Sequence, residues 1–104
     1  TMKRLASCYD YGWGVSRNVA MAEKYYYRAL KNKEPEVMYA YGKLLYEYYA
    51  DRYEDAIEYL LVAKAHGLKK AEVFLKEAGL LNLNRKVNEE KLDWGTRREY
   101  NKFH

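Results

Sequence analysis

The sequence predicts an all-α chain in which helix–turn–helix units stack as an α-solenoid, closed by a C-terminal capping helical segment. Three observations predict it. Apolar residues recur at helical spacing through most of the 104 residues. The single proline and most of the six glycines stand between those stretches. Matched residues return at an interval of 34 to 36 positions, as they do in paired-helix repeats. No segment alternates with period two for long enough to make a strand.

The first helix covers Met2 to Tyr11, with Leu5, Cys8 and Tyr9 on its apolar side. Gly12-Trp13-Gly14 follows as a turn, with glycine supplying positive φ. Asn18 is placed as the N-cap of a second helix that carries Val19, Ala22, Tyr25, Tyr26, Ala29 and Leu30. Pro35 suits the first turn of a third helix, where a missing N–H costs nothing. That helix, Glu36 to Tyr49, turns Val37, Ala40, Tyr41, Leu44, Leu45 and Tyr48 to one face. A fourth opens at Asp51, with Glu54 completing a capping-box-like start, and closes at His66-Gly67. Its stripe is Tyr53, Ala56, Ile57, Leu60, Ala63 and Lys64. A fifth runs from about Lys69 to Leu80 through Ala71, Phe74, Leu75 and Ala78. Val87, Lys91, Leu92 and Trp94 then suggest an amphipathic helix ending at Gly95. Thr96 to Glu99 reads as the start of a short last helix bearing Tyr100 and Phe103.

The internal match is residue by residue. Leu5, Ala6 and Tyr9 correspond to Tyr41, Gly42 and Leu45 at a spacing of 36. Ala22, Tyr25, Tyr26 and Ala29 correspond to Ala56, Tyr59, Leu60 and Ala63 at 34. The same 34 carries Val37 to Ala71 and Tyr41 to Leu75. Small residues at these places let helices approach, and large ones fill the space between them. Residues 1–81 therefore divide into units 1–34 and 35–68 and a partial unit 69–81, with 82–104 as a helical cap or tail.

The first unit, Leu5-x3-Tyr9-x2-Gly12-x-Gly14-Val15-x2-Asn18-x3-Ala22-x2-Tyr25-Tyr26-x2-Ala29, resembles a Sel1-like repeat, the longer-looped relative of the tetratricopeptide repeat. It departs from that pattern at Ala6, Asn18, Met21, Tyr25 and Leu30. The second unit keeps Gly42, Ala56, Tyr59, Ala63 and Gly67 but lacks the Gly-x-Gly-Val loop, and there it is similar to a plain tetratricopeptide unit. The resemblance covers about residues 1–78. It implies an adaptor or scaffold that binds a partner protein on a concave helical surface and catalyses nothing.

Composition narrows the alternatives. The chain carries 19 Lys+Arg and 15 Asp+Glu, net +4. The charge is intermixed: nine basic and six acidic residues in 1–52, ten and nine in 53–104. Nucleic-acid binders show a stripe of one sign, so nucleic acid stands as the alternative partner, kept by the basic balance and the 13 tyrosines. No apolar run approaches the roughly 20 residues of a membrane span, and no signal peptide is visible. The lone Cys8 reads as a buried small hydrophobe. A single cysteine fits a reducing compartment, which favours the cytoplasm.

Catalytic chemistry is not expected. His66 stands at a helix end and His104 is the last residue, and no His or Cys pair has metal-ligand spacing. Gly12-Trp13-Gly14 lacks the Gly-Lys-Ser/Thr of a phosphate loop. The carboxylate pairs Asp51/Asp55 and Glu54/Glu58 are explained by a helix N-terminus. No cofactor or metal is implied.

The partner surface follows from what the core leaves over. On the third helix Tyr39, Lys43 and Tyr46 form a second stripe beside the apolar one. The repeat offsets carry these positions to Lys3, Ser7 and Asp10 in the preceding unit and to Val73, Glu77 and Leu80 in the following one. The concave face is expected to present Lys3, Ser7, Asp10, Tyr39, Lys43, Tyr46, Val73 and Glu77. Two and a fraction repeats are marginal, so Val87, Leu92, Trp94, Tyr100 or Phe103 is expected to cover an open end, with a second copy of the chain as the alternative cover. A small inhibitory or accessory subunit is the other form such a binding protein takes.

Overall fold

The computed structural model describes residues 2–12, 14, 16–80, 87 and 89–95. They are all-helical, with no strand among them: α1 (Met2–Tyr11), α2 (Val19–Ala29), α3 (Pro35–Tyr48), α4 (Tyr53–Ala65) and α5 (Lys69–Glu77). Short 3-10 turns occupy Leu30–Asn32, Ala50–Arg52 and Glu89–Lys91. No helix among the described residues is long and apolar enough to cross a membrane. The described residues form two compact units, one from 1–33 together with 93–95 and the other from 34–92.

In the first unit α1 packs on α2. Gly12 and Gly14 adopt φ of 76° and 74° in the turn between them. The Asn18 side chain accepts the Met21 N–H at 3.1 Å, which fixes the start of α2. Ala6, Ala22, Tyr26, Ala29 and Leu30 are buried. Leu5 is exposed and Cys8 is half-buried, so the buried face of α1 is rotated one residue from the expected one, onto Ala6.

The tyrosine run on α2 is buried on two sides. Tyr26 donates its hydroxyl to Asp10 of α1 at 3.1 Å. Tyr27, also buried, donates to Asp93 at 2.9 Å. Asp93 in turn accepts the Gly95 N–H at 3.0 Å. Trp94 is buried, with the Lys33 ammonium 5.4 Å from the ring centroid. Asp93 to Gly95 thus form a strap against α2. The expected helix over 87–94 does not form. Its only helical part among the described residues is Glu89–Lys91, and Asp93 and Gly95 spend their polar groups on Tyr27 and each other. The expected last helix at Thr96 to Phe103 lies outside the described residues.

In the second unit α4 packs between α3 and α5. Pro35 begins α3, with Glu34 extended ahead of it as a residue before proline must be. The α3–α4 contact is closest at Gly42. A Cβ there would lie 2.9 Å from Leu60 Cγ and 3.0 Å from the Ala56 carbonyl oxygen. Tyr41 and Tyr59 meet edge to face at 5.1 Å beside it, an arrangement that adds about 0.5–1.5 kcal/mol to their burial. Val37, Met38, Leu44 and Leu45 of α3 are buried, as are Ala56, Ile57, Leu60, Val62 and Ala63 of α4. Tyr48 and Tyr53, expected in the core stripes, are exposed.

The capping box expected at Asp51 does not form. Arg52 is the N-cap of α4 and no side chain caps it. The chain enters through a 3-10 turn in which the Arg52 N–H donates to the Tyr49 carbonyl at 2.9 Å. Arg52 also lies over the Tyr41 ring and near Asp55, contacts that a helix starting at Asp51 would displace. At its other end α4 stops as the sequence indicates. Gly67 has φ of 91°, and the N–H groups of Gly67 and Leu68 donate to Lys64 and Ala63. The same geometry at Gly79 ends α5 at Glu77, before the expected Leu80, and turns Leu80 into a core with Ile57, Leu60 and Leu75.

Candidate functional site

A concavity lies in the second unit, between α3 and α5. It is an open groove of about 470 Å³ lined by Tyr39, Lys43, Lys69, Lys70, Val73, Phe74 and Glu77. Phe74 forms its aromatic seat. Tyr39 meets that ring at 6.2 Å and 86°, and Tyr46 meets it at 5.5 Å and 87°. Phe74 is therefore met at near-right angles by two tyrosines about two turns apart on one face of α3. Tyr46 also meets Tyr53 at 5.3 Å in a tilted arrangement. Val73 stays 42% exposed, an apolar side chain offered to whatever enters.

The charged members are three ammonium groups and one carboxylate. The side chains of Lys43, Lys69, Lys70 and Glu77 make no ion pair or hydrogen bond with any described residue. Lys69 and Lys70 belong to the first turn of α5, whose N-cap Leu68 offers no side-chain acceptor.

Of the residues expected to bind a partner, Tyr39, Lys43, Val73 and Glu77 line this groove together. Tyr46 lies behind Phe74 and supports it. Lys3, Ser7 and Asp10 stand on α1 in the first unit. There Asp10 accepts from Tyr26, and its carboxylate and carbonyl both receive Arg17. Ser7 borders the same Tyr26 hydroxyl. Sequence reasoning missed Phe74, assigned to the core, and Lys69 and Lys70. The signal was available: two lysines occupy a helix turn where the dipole favours acids.

Two outcomes are expected here. Tyr46→Ala removes a half-buried ring from the clamp and destabilises the second unit by about 2 kcal/mol, roughly half the loss of a fully buried aromatic. Tyr39→Ala costs about 1 kcal/mol, the size of one aromatic pair. Urea unfolding of both variants checks the order. In the first unit, burial above all, and the adjacent Asp10 carboxylate, hold the Tyr26 hydroxyl above the ordinary tyrosine range, while Ser7 acts the other way. The unfolded chain releases this proton near pH 10 and the folded chain keeps it. Stability therefore falls as pH rises above about 10, by about 1.4 kcal/mol per pH unit from this group. Urea unfolding between about pH 9 and 11 is expected to show a shallower decline for Tyr26→Phe than for the wild type.

Among the described residues no group of three or more His, Cys, Asp or Glu is placed to hold a metal ion. The two side chains that come nearest to such chemistry, His66 and Glu89, form an exposed pair at 3.3 Å. The chain matches no protein-family model, no curated protein and no solved structure.

Proposed function

We propose that this chain is a protein-interaction module of Sel1-like and tetratricopeptide-type helix pairs, acting as an adaptor or a small accessory subunit, and that the α3–α5 groove holds its partner. The observation that carries this is the groove itself. An aromatic seat is fixed by two tyrosines, beside an exposed valine, under lysines that no described residue neutralises. Rigid aromatic rings with polar edges are the side chains from which binding surfaces draw most of their energy.

The repeat reading is supported by shared burial at four of the seven matched positions of the two units, the exceptions being Leu5/Tyr41, Tyr9/Leu45 and Tyr25/Tyr59. Ala6 and Gly42 are both buried, and so are the pairs Ala22/Ala56, Tyr26/Leu60 and Ala29/Ala63. The boundary between the two compact units, at Lys33/Glu34, falls one residue from the repeat boundary that the sequence suggests.

Selection from a displayed peptide library against the full chain tests the reading. Selected peptides are expected to shift the amide resonances of Tyr39, Lys43, Val73, Phe74 and Glu77, and Val73→Arg is expected to abolish their binding. Shifts confined to other surfaces, with Val73→Arg binding as the wild type does, would overturn it.

A further inference from the structure

We propose that the α3–α5 groove takes an acidic segment of another protein, which seats an apolar side chain on Phe74, Val73 and Tyr39 and pairs its carboxylates with Lys43, Lys69 and Lys70. This assignment rests on reading the groove as the partner surface and names the chemistry of the partner.

Charge complementarity selects the occupant. The rim holds three ammonium groups against the one carboxylate of Glu77, and none of these has a counter-ion among the described residues. Helix formation does not account for where two of the cations stand. Lys69 and Lys70 open the first turn of α5, which Glu72 completes, at positions where the dipole favours an acid and disfavours a cation. Such local conflicts mark functional surfaces, and a bound carboxylate resolves this one.

The order of residues along α5 adds a direction. Cations come first, Val73 and Phe74 one turn later, and Glu77 one turn after that. A ligand therefore carries its acids on one side of its apolar anchor, about one helical turn or 6 Å away, and none on the other side, where Glu77 repels them. The apolar seat supplies affinity, and the lysines choose the partner and speed its approach.

Other occupants fit less well. Residues 96–104 carry Arg97, Arg98 and Lys102 against Glu99, a segment of the wrong sign. In a second copy, the acids Asp51, Glu54 and Asp55 flank Tyr53, whose ring is already packed against Tyr46. A phosphate backbone asks for an unbroken cationic track, and Glu72 and Glu77 interrupt the one on α5.

The test uses the full chain and four labelled probes of equal length in fluorescence anisotropy. The first is a peptide with three acids one turn ahead of a Leu-Phe anchor. The second has lysines for the acids, the third has serines for the anchor, and the fourth is oligodeoxythymidylate. The first is expected to bind at least tenfold tighter than each of the others. Lys43→Glu/Lys69→Glu/Lys70→Glu is expected to reverse the preference, so that the lysine peptide becomes the tighter ligand. Lys70→Gln, at an exposed position, is expected to weaken the acidic peptide about threefold and keeps the test decisive if the triple variant fails to fold. The assignment is overturned if neither variant weakens the acidic peptide, or if the wild type binds the lysine peptide as tightly. It is also overturned if sedimentation shows that the groove is filled by a second copy. If neutral or basic library peptides map to the groove, the acidic partner is wrong and the interaction module stands. If oligodeoxythymidylate is the tightest ligand, both fall.

Discussion

Gly42→Val is expected to destabilise the second unit by about 2 kcal/mol or more, although valine is the better helix former. Replacing a mid-helix glycine ordinarily gains up to about 1 kcal/mol. Here the new Cβ would meet Leu60 Cγ at 2.9 Å and the Ala56 carbonyl oxygen at 3.0 Å. One of these is a branch point of a fully buried side chain and the other is backbone, so neither yields without moving α4. Overpacking of this kind costs about 1–3 kcal/mol, and valine adds two further methyl groups to a contact that has no room for one. Gly42→Ala should fall between the wild type and Gly42→Val. Ala56→Trp, on the opposing helix, should be the most severe and leave the unit unfolded. Urea denaturation ranks the three. A Gly42→Val protein as stable as the wild type would mean that α3 and α4 lie farther apart than described.

The second large effect is expected at Gly95. Its φ is 79°, and an added Cβ would overlap the Tyr27 carbonyl oxygen. Gly95→Val therefore combines a left-handed backbone that a β-branched residue rarely adopts with a collision against the backbone of α2. The strap cannot stay docked, and with it go the Tyr27–Asp93 hydrogen bond and the burial of Trp94. Loss of a buried tryptophan contact is worth about 3–5 kcal/mol. Asp93→Asn, which keeps an acceptor in place, should cost only about 1 kcal/mol. In a Trp13→Phe background, Trp94 emission is expected to shift to the red in Gly95→Val and to stay near the wild-type position in Asp93→Asn. Unchanged emission and unchanged unfolding in Gly95→Val would show that the strap does not hold Trp94.

What the sequence made legible follows the range of the interaction involved. Asn18, Pro35 and Gly67 act within one turn of themselves, and each marks a helix boundary where the sequence places it. Small residues at the repeat spacing identify the buried faces because a close helix contact tolerates little else. Tyr27 was not legible as a core residue. Its partner Asp93 is 66 positions away, and no periodicity in α2 reports it. Asp51 carried the local signature of a cap, and Arg52, held between Tyr41 and Asp55, overrides it. In the groove, offset counting from Tyr39 and Lys43 reaches Val73 and Glu77 because both helices keep the register. It passes over Phe74, whose ring serves the core and the groove at once. Ser7 and Asp10 belong to the same count, but the Tyr26 hydroxyl occupies the space beside them.

The strap also fixes an order of events during synthesis. Residues 34–92 form their own unit in the interval between the two parts of the first. At about 5–20 residues per second, the ribosome needs roughly 3–13 s to travel from Tyr27 to Trp94. Throughout that time the helix hairpin of the nascent chain carries an uncovered aromatic edge at Tyr27, and it gains its cover only after the later unit has emerged. The helix hairpin that is made before residues 34–92 is thus completed only after them.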